Sequence, residues 1–260
     1  MSETPDPAAI LEHSQWDHFW VPSDTVAHER AGLSYLASPH DLPHLNAVSR
    51  TEPTECDVDV ALNEVSAAHR GVVSRWHVYS RIDREPLRRA LSAGRYAPCV
   101  VHDARVIRAG DYQPRAAAAC RVVRVCHLAE LRDFHAVSNA AFELDRAYTD
   151  EQLEAQLRQC QEAESRIQRF VVYAGERAVS CGGLNAFARL CFGLLWAGST
   201  LPEARGHGFY SALVSARIAW AKERELSLVG LYARSTTSSP ITAKQGFAKY
   251  GTMTYWERSA

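Results

Sequence analysis

Residues 192–220 read FGLLWAGSTLPEARGHGFYSALVSARIAW, and the order of residue types along them decides the fold. The apolar run 192–197 has the length of a buried strand. Pro202 ends strand pairing, because it has no amide hydrogen to give. Arg205-Gly206-His207-Gly208 then makes a tight turn. Beyond it Tyr210, Leu213, Val214, Ile218, Trp220 and Ala221 recur at spacings of three and four, the apolar face of a helix. Two glycines at a helix start let a ligand come close to the backbone. The free N–H groups of the first turn then point at one spot, which the helix dipole makes positive. That geometry suits a phosphate or a pyrophosphate.

A glycine pair before a helix also serves plain turns, so the flanking sequence has to decide. Residues 226–233 (LSLVGLYA) read as a second apolar strand. A Ser/Thr-rich turn covers 235–239, a short helix over 240–245 stops at Gly246-Phe247, and 252–256 reads as a last strand. In this order the chain resembles the second half of the GNAT superfamily, the acyl-CoA-dependent N-acyltransferases. The family's pyrophosphate loop is Arg/Gln-x-x-Gly-x-Gly/Ala. Arg205 and Gly208 match it, and Tyr210 departs from it at the last position. Gly246-Phe247 matches the pair that closes the family's last helix. The resemblance spans residues 121–258 and implies an α/β fold, a mixed α+β sheet of GNAT type.

The 260 residues are 47% hydrophobic, enough for one large domain or two small ones. Net charge is −1 with both signs mixed, which argues against nucleic acid as a partner. The apolar runs are too short to span a bilayer, so no membrane partner is expected. The polar start MSETPDPAAILEHSQ carries no basic-then-apolar signal segment. Cys56, Cys99, Cys120, Cys126, Cys160, Cys181 and Cys191 are odd in number and never spaced C-x-x-C. This is the usage of reduced thiols in a cytoplasmic protein. His40 and His44 have no third ligand beside them, and no metal is expected.

The first forty residues are polar and proline-punctuated, with a short helix or strap over 10–20 that has Trp16, Phe19 and Trp20 to bury. Then follow a strand at 45–48, a helix at 57–69, a strand at 75–79, a helix at 85–93 ended by Gly94, and a hairpin of 99–101 with 105–107. This order repeats that of the second half and suggests a degenerate first copy. No R-G-x-G stands between Arg50 and Asp57, so the first copy is expected to hold no acyl-CoA. QPRAAAA at 113–119 reads as the linker, giving domains of 1–115 and 116–260. The second domain continues with a strand at 121–125 and helices at 128–142 and 150–164. Thr149 and Gln152 make a near capping box at the second of these helices. Strands at 170–173 and 178–181 flank a turn at Gly175, and the later strand continues through 184–187.

Acyl transfer from a thioester to an amine needs the donor held, the amine deprotonated, the oxyanion stabilised and the thiolate protonated. The resemblance implies an acyl-CoA co-substrate, with acetyl the first choice, and the primary amine of a small molecule as acceptor. It places the pyrophosphate on Arg205, Gly206, His207, Gly208, Phe209 and Tyr210, and the pantetheine arm beside Ser199, Thr200 and Leu201. Ser235 falls where relatives carry an asparagine that touches the cofactor. The family's frequent tyrosine acid is replaced by Thr242, leaving Tyr210 and the serines of 235–239, Ser238 among them, as hydroxyl candidates. Glu203 is the carboxylate nearest the loop in sequence, and Glu143 and Asp145 follow the helix near which acceptors enter in relatives. Cys181 and Cys191 read as small buried apolar residues. Two other readings stay open: an acyl-CoA-binding regulatory protein with weak or no turnover, and acyl transfer from a carrier protein.

Overall fold

The computed structural model describes residues 6–162 and 164–260. The first five residues of the polar start, and Ala163 within the expected helix 150–164, lie outside the described residues. In chain order the elements are α1 (Pro7–His13), β1 (Val26–Arg30), β2 (Leu33–Ala37), β3 (Ala47–Thr51), α2 (Val58–Ala68), β4 (Ser74–Tyr79), α3 (Glu85–Ala93) and β5 (Ala97–Arg108). They continue with β6 (Arg121–Arg124), α4 (Leu128–Phe142), α5 (Asp150–Gln161), β7 (Ile167–Ala174), β8 (Arg177–Phe187) and β9 (Phe192–Thr200). The last are α6 (Phe209–Glu223), β10 (Leu228–Arg234), α7 (Ser238–Lys244) and β11 (Ala248–Arg258). These elements form two compact units. One takes the chain up to Arg105 together with Tyr232–Pro240 and Lys249–Ala260; the other takes Val106–Leu231 and Ile241–Ala248. Compactness thus assigns β11, at the far end of the sequence, to the first unit.

In the first unit the strands lie in the order β1-β2-β3-β4-β11-β5, followed by the end of β10. Strand β3 runs parallel to β4, and β11 runs antiparallel to β4 with Trp256 opposite Trp76 and Met253 opposite Tyr79. The core follows from that register: Trp76, Tyr79, Val48, Leu62, Val65 and Leu91 pack with Met253 and Trp256. The aromatic residues of the first half are therefore buried partly by the last strand of the chain. Trp76 Nε1 donates to Thr51 Oγ1 at 2.7 Å, which satisfies its buried polar atom. Trp16, Phe19 and Trp20 are only partly buried.

Two sequence expectations need correction in this unit. Residues 97–108 form one strand, not a hairpin: His102-Asp103-Ala104 offers no turn former, and β5 has a neighbour on each side. Residues 26–37, which lie in the first forty residues read only as polar and proline-punctuated, form the β1–β2 hairpin, with Gly32 at φ 70° in its turn. The alternation was masked because β1 is exposed along most of its length.

In the second unit the order is β10-β9-β8-β7-β6. Only β10 and β9 run parallel; the other pairs are antiparallel. Helices α4 and α6 both pack on β7, β8 and β9. Consecutive strand residues point to opposite faces. Gly182 faces Arg217 of α6, whereas Gly183 faces Trp196, which meets Phe134 of α4 edge-on at 6.0 Å. The two helices therefore cover opposite faces of these strands. Thr149 caps α5 with Gln152 in a full capping box, as its spacing predicts.

The first unit also contains a titrating element. His69 is fully buried, with Nδ1 at 2.6 Å from Ser74 Oγ and Nε2 at 2.7 Å from Leu36 O. Burial pushes its pKa from 6.5 down to about 4, with the Arg258 charge acting in the same direction. Between these values the unfolded chain takes up a proton that the folded chain refuses, so acid destabilises the fold. A single group moved this far accounts for about 3 kcal/mol, present above the unfolded pKa and lost as pH falls through the folded one. Denaturant midpoints measured at neutral and mildly acid pH should fall more steeply for the natural protein than for His69→Gln; equal slopes would contradict the assignment.

Candidate active site

The segment joining β9 to α6 is built by backbone conformation. A 3₁₀ turn at Pro202–Ala204 follows β9, and Leu201 N–H ties its start to Val179 O at 2.9 Å. Gly206 (φ 84°) and Gly208 (φ 81°) are both left-handed, a conformation that L side chains rarely adopt. Gly208 is the N-cap of α6, and no side chain caps this helix. Phe209, Tyr210 and Ser211 thus begin a 15-residue helix with uncapped N–H groups and no acidic residue in the first turn. Such an end is electrostatically ready for an anion. Helix α2 offers the contrast: Asp57 caps it with its own carboxylate, accepting from Asp59 N (2.9 Å) and Val60 N (3.1 Å).

Residues 112–118 run along this site within the same unit. Tyr112 Oη is 3.0 Å from Ser215 Oγ, Arg115 donates to the Lys244 carbonyl, and Ala118 N donates to His207 O at 2.8 Å. A methyl group on Gly208 would stand 2.7 Å from Ala116 O. The N-cap is therefore glycine for two reasons, its φ and the strap against it.

Strand β9 supplies the second feature. Its parallel pairing with β10 ends at Leu194↔Gly230, although β9 continues to Thr200. Ser199 and Thr200 are held from β8 instead: Ser180 Oγ donates to Ser199 O at 2.5 Å and lies 2.9 Å from Thr200 Oγ1. Registry with β8 shifts between Cys181 and Gly183, and Ala197 has φ 48°, so β9 bulges just before Gly198.

Tyr210 is half-buried and turns its ring toward Gly198. Burial raises its pKa, and the nearby Arg217 cation opposes that rise. Arg217 is 1% exposed. It donates from Nε to Leu213 O (3.3 Å) and from Nη1 to Gly183 O (3.1 Å); its buried Nη2 makes no well-formed hydrogen bond among the described residues, and the guanidinium is coupled to the Tyr210 hydroxyl beside it. Burial lowers the arginine's pKa, while Tyr210, Cys181 and Tyr112 raise it. Sequence reading passed over Arg217. The signal was present: it lies four residues after Leu213, inside the apolar face of α6.

The remaining candidates are placed as follows. Glu203 is exposed and paired with Arg177, and its own backbone N–H and that arginine hold the carboxyl below its usual range. His207 Nδ1 contacts Arg205 O at 3.0 Å, and exposed Arg205 donates from Nε to Thr200 O at 3.3 Å. Ser199, Thr200, Leu201, Glu203 and 205–210 thus share the second unit, whereas Ser235 and Ser238 belong to the first. There Ser235 N donates to Val101 O at 3.0 Å. Ser239 is buried between Arg105 Nε (2.6 Å) and Asp103 Oδ2 (2.5 Å), and Lys249 adds a contact to Asp103 Oδ1 at 2.6 Å. Thr242 is fully buried. Glu143 and Asp145 are exposed in the loop after α4.

Cys181 is buried and its thiol is pushed up to about 11 by that burial. Cys191, expected inside, is exposed: it ends the 3₁₀ turn between β8 and β9 with φ 47°. His40 bonds Asp24 at 2.7 Å and His44 stacks on Trp20. Among the described residues no group of three His, Cys, Asp or Glu could hold a metal, and no helix is long and apolar enough to cross a membrane.

The glycine geometry gives a stability test. Gly175 is also left-handed (φ 59°), in a hairpin turn with open space around it. Gly175→Ala should cost about 1–2 kcal/mol for its φ alone. Gly208→Ala should cost about 1–3 kcal/mol more, because its methyl also meets the strap. Equal losses in denaturant unfolding would show that the strap does not press on Gly208.

No family model and no curated protein matches the chain by sequence. Solved structures do match by fold. A GCN5-related N-acetyltransferase from Kribbella flavida superposes with a TM-score of 0.71 at 14% identity, covering 98% of this chain and 96% of that one. A tandem GNAT protein from the clavulanic acid biosynthesis pathway gives 0.63 at 12% identity, over 96% and 87%. A GCN5-related N-acetyltransferase from Sphaerobacter thermophilus gives 0.59 at 13%, over 95% and 84%. Identity this low speaks for architecture alone, and on that ground the chain has the fold of the GCN5-related N-acetyltransferases over nearly its whole length.

Proposed function

We propose that the protein is an acyl-CoA-dependent N-acyltransferase, with acetyl the preferred group and the primary amine of a small molecule as acceptor. One observation carries this reading: α6 starts behind two left-handed glycines with its first-turn N–H groups uncapped. Such a start holds a pyrophosphate through backbone alone. Gly206, Gly208, Phe209 and Tyr210 supply that cradle, Arg205 adds charge beside it, and His207 faces outward from the loop. The stretch of β9 beyond Leu194, which has no pairing register with β10, supports a pantetheine arm beside Ser199, Thr200 and Leu201. Helix α2, closed by Asp57, supports a single donor site per chain.

In the reaction the amine attacks the thioester carbonyl directly, and the thiolate leaves with a proton from a nearby hydroxyl. Tyr210 is the first choice for that donor and Ser238 the second. Glu203 is the weakest base candidate, since its charge is already engaged by Arg177. Ser235 is the remaining cofactor contact. A second reading has one observation in its favour: Thr242, fully buried, stands where relatives carry their tyrosine acid. On that reading the protein binds acyl-CoA as a regulator and turns over slowly or not at all.

Calorimetric titration of acetyl-CoA should give one site per chain. Gly206→Val should weaken binding at least about tenfold, equivalent to about 1.4 kcal/mol. Gly175→Val, equally left-handed and equally open, should leave affinity unchanged. Equal affinity in both variants would remove the loop assignment. Thiol release across a panel of amines then separates the two readings: none above the rate of hydrolysis favours the regulator.

A further inference from the structure

Arg217 sets a physical problem that the donor loop does not solve. Among the described residues no carboxylate pairs with this guanidinium, which is 1% exposed on the sheet-facing side of α6. An uncompensated buried charge is costly unless something nearby uses it. Two glycines make room for it. A methyl on Gly182 would stand 2.9 Å from Arg217 Nη1. A methyl on Gly198 would stand 3.0 Å from Tyr210 Cε2, 3.2 Å from Arg217 Nη2 and 3.4 Å from Tyr210 Oη. Nη2, which makes no well-formed hydrogen bond among the described residues, and the phenol oxygen coupled to it therefore meet at the bare flank of Gly198, immediately after the β9 bulge at Ala197. Arg217 stands seven residues after Tyr210, two turns along the same helix face.

We propose that Arg217 is a positioning residue for the leaving group: its buried charge at Gly198 steadies the sulfur of coenzyme A as a thiolate and holds Tyr210 to return its proton. This rests on the acyl-CoA reading above. When the carbon–sulfur bond breaks, the electron pair stays on sulfur. Sulfur takes the proton of the Tyr210 hydroxyl while the proton released by the attacking amine passes through water to that same oxygen, so no phenolate is left behind. The other titratable groups facing this point are Cys181 on β8 and Tyr112 in the strap. Cys181 stays a thiol, since burial holds it at about 11, and burial also raises Tyr112, so both remain neutral. Arg217 is the only charge this set brings to the sulfur.

The test needs no acceptor. Coenzyme A and acetyl-CoA are titrated calorimetrically into the full-length chain between about pH 6.5 and about 9, spanning the usual range of a free thiol. A cation at the sulfur lowers the bound thiol's pKa, so coenzyme A affinity rises with pH between the bound and free values. Acetyl-CoA, which has no thiol, serves as the internal reference. In the natural protein the ratio of the two affinities should rise about tenfold or more, one unit of pKa being tenfold. The rise should vanish in Arg217→Met, persist in Arg217→Lys and diminish in Tyr210→Phe. A rise that is the same in Arg217→Met, or absent in the natural protein while both ligands bind, overturns the proposal and leaves the donor reading standing. Binding of neither ligand overturns the donor reading and this one with it. If Arg217→Met does not fold, Tyr210→Phe decides, because it removes a single hydroxyl: an unchanged rise there also overturns the proposal.

Discussion

The site depends on one backbone constraint, the left-handed turn at Gly208 that begins α6. Because Gly208 brings no side chain, α6 has no cap of its own, and the positive end of a 15-residue helix stays open. Because it has no Cβ, residues 116 and 117 lie flush against it. A side chain at this position would both strain the turn and displace the strap. Asp57 shows the alternative outcome at α2, where a carboxylate closes the helix start from within. Two helix starts in one chain thus take opposite solutions, one sealed and one left uncapped.

Around that turn the second unit shows a consistent division of labour. The β9 bulge and the early end of β9–β10 pairing detach the end of β9 from its parallel neighbour, while Ser180 of β8 keeps it in place. Helix α4 covers one face of these strands, with Phe134 against Trp196, and α6 covers the other, with Arg217 under Gly182 and Gly198. Tyr210 occupies the space that Gly198 leaves. The departure from the family loop at position 210 is therefore matched by a missing side chain across from it, which makes the tyrosine a fitted part of this unit.

Much of the second unit was legible because its signals are local. The Thr149–Gln152 box, the strand ended at Pro202 and the glycine turn before an apolar helix each need only a few neighbouring residues. The misreadings are nonlocal. Residues 97–108 read as two short strands because His102 and Asp103 interrupt the apolar pattern, yet in the fold Asp103 is neutralised by Lys249 and bonded by Ser239, residues far along the chain. The β1–β2 hairpin escaped because β1 buries little. Arg217 escaped because an arginine ordinarily marks a solvated face, and only the glycines at 182 and 198 reveal that there is room for it inside. The catalytic assignment remains the least legible part, since hydroxyls and carboxylates near a loop mostly serve the loop itself, as the Glu203–Arg177 pair shows.

The central claim is that the open start of α6 receives the pyrophosphate of an acyl-CoA. Backbone amide spectra of the isotope-labelled protein, recorded as acetyl-CoA is added, test it at the atoms concerned. The account predicts that the largest downfield shifts fall on the amides of Gly208, Phe209, Tyr210 and Ser211, with the amides of Asp59 and Val60 at the sealed α2 start unmoved. Saturable shifts that spare residues 206–211, or no shifts at millimolar ligand, would contradict it.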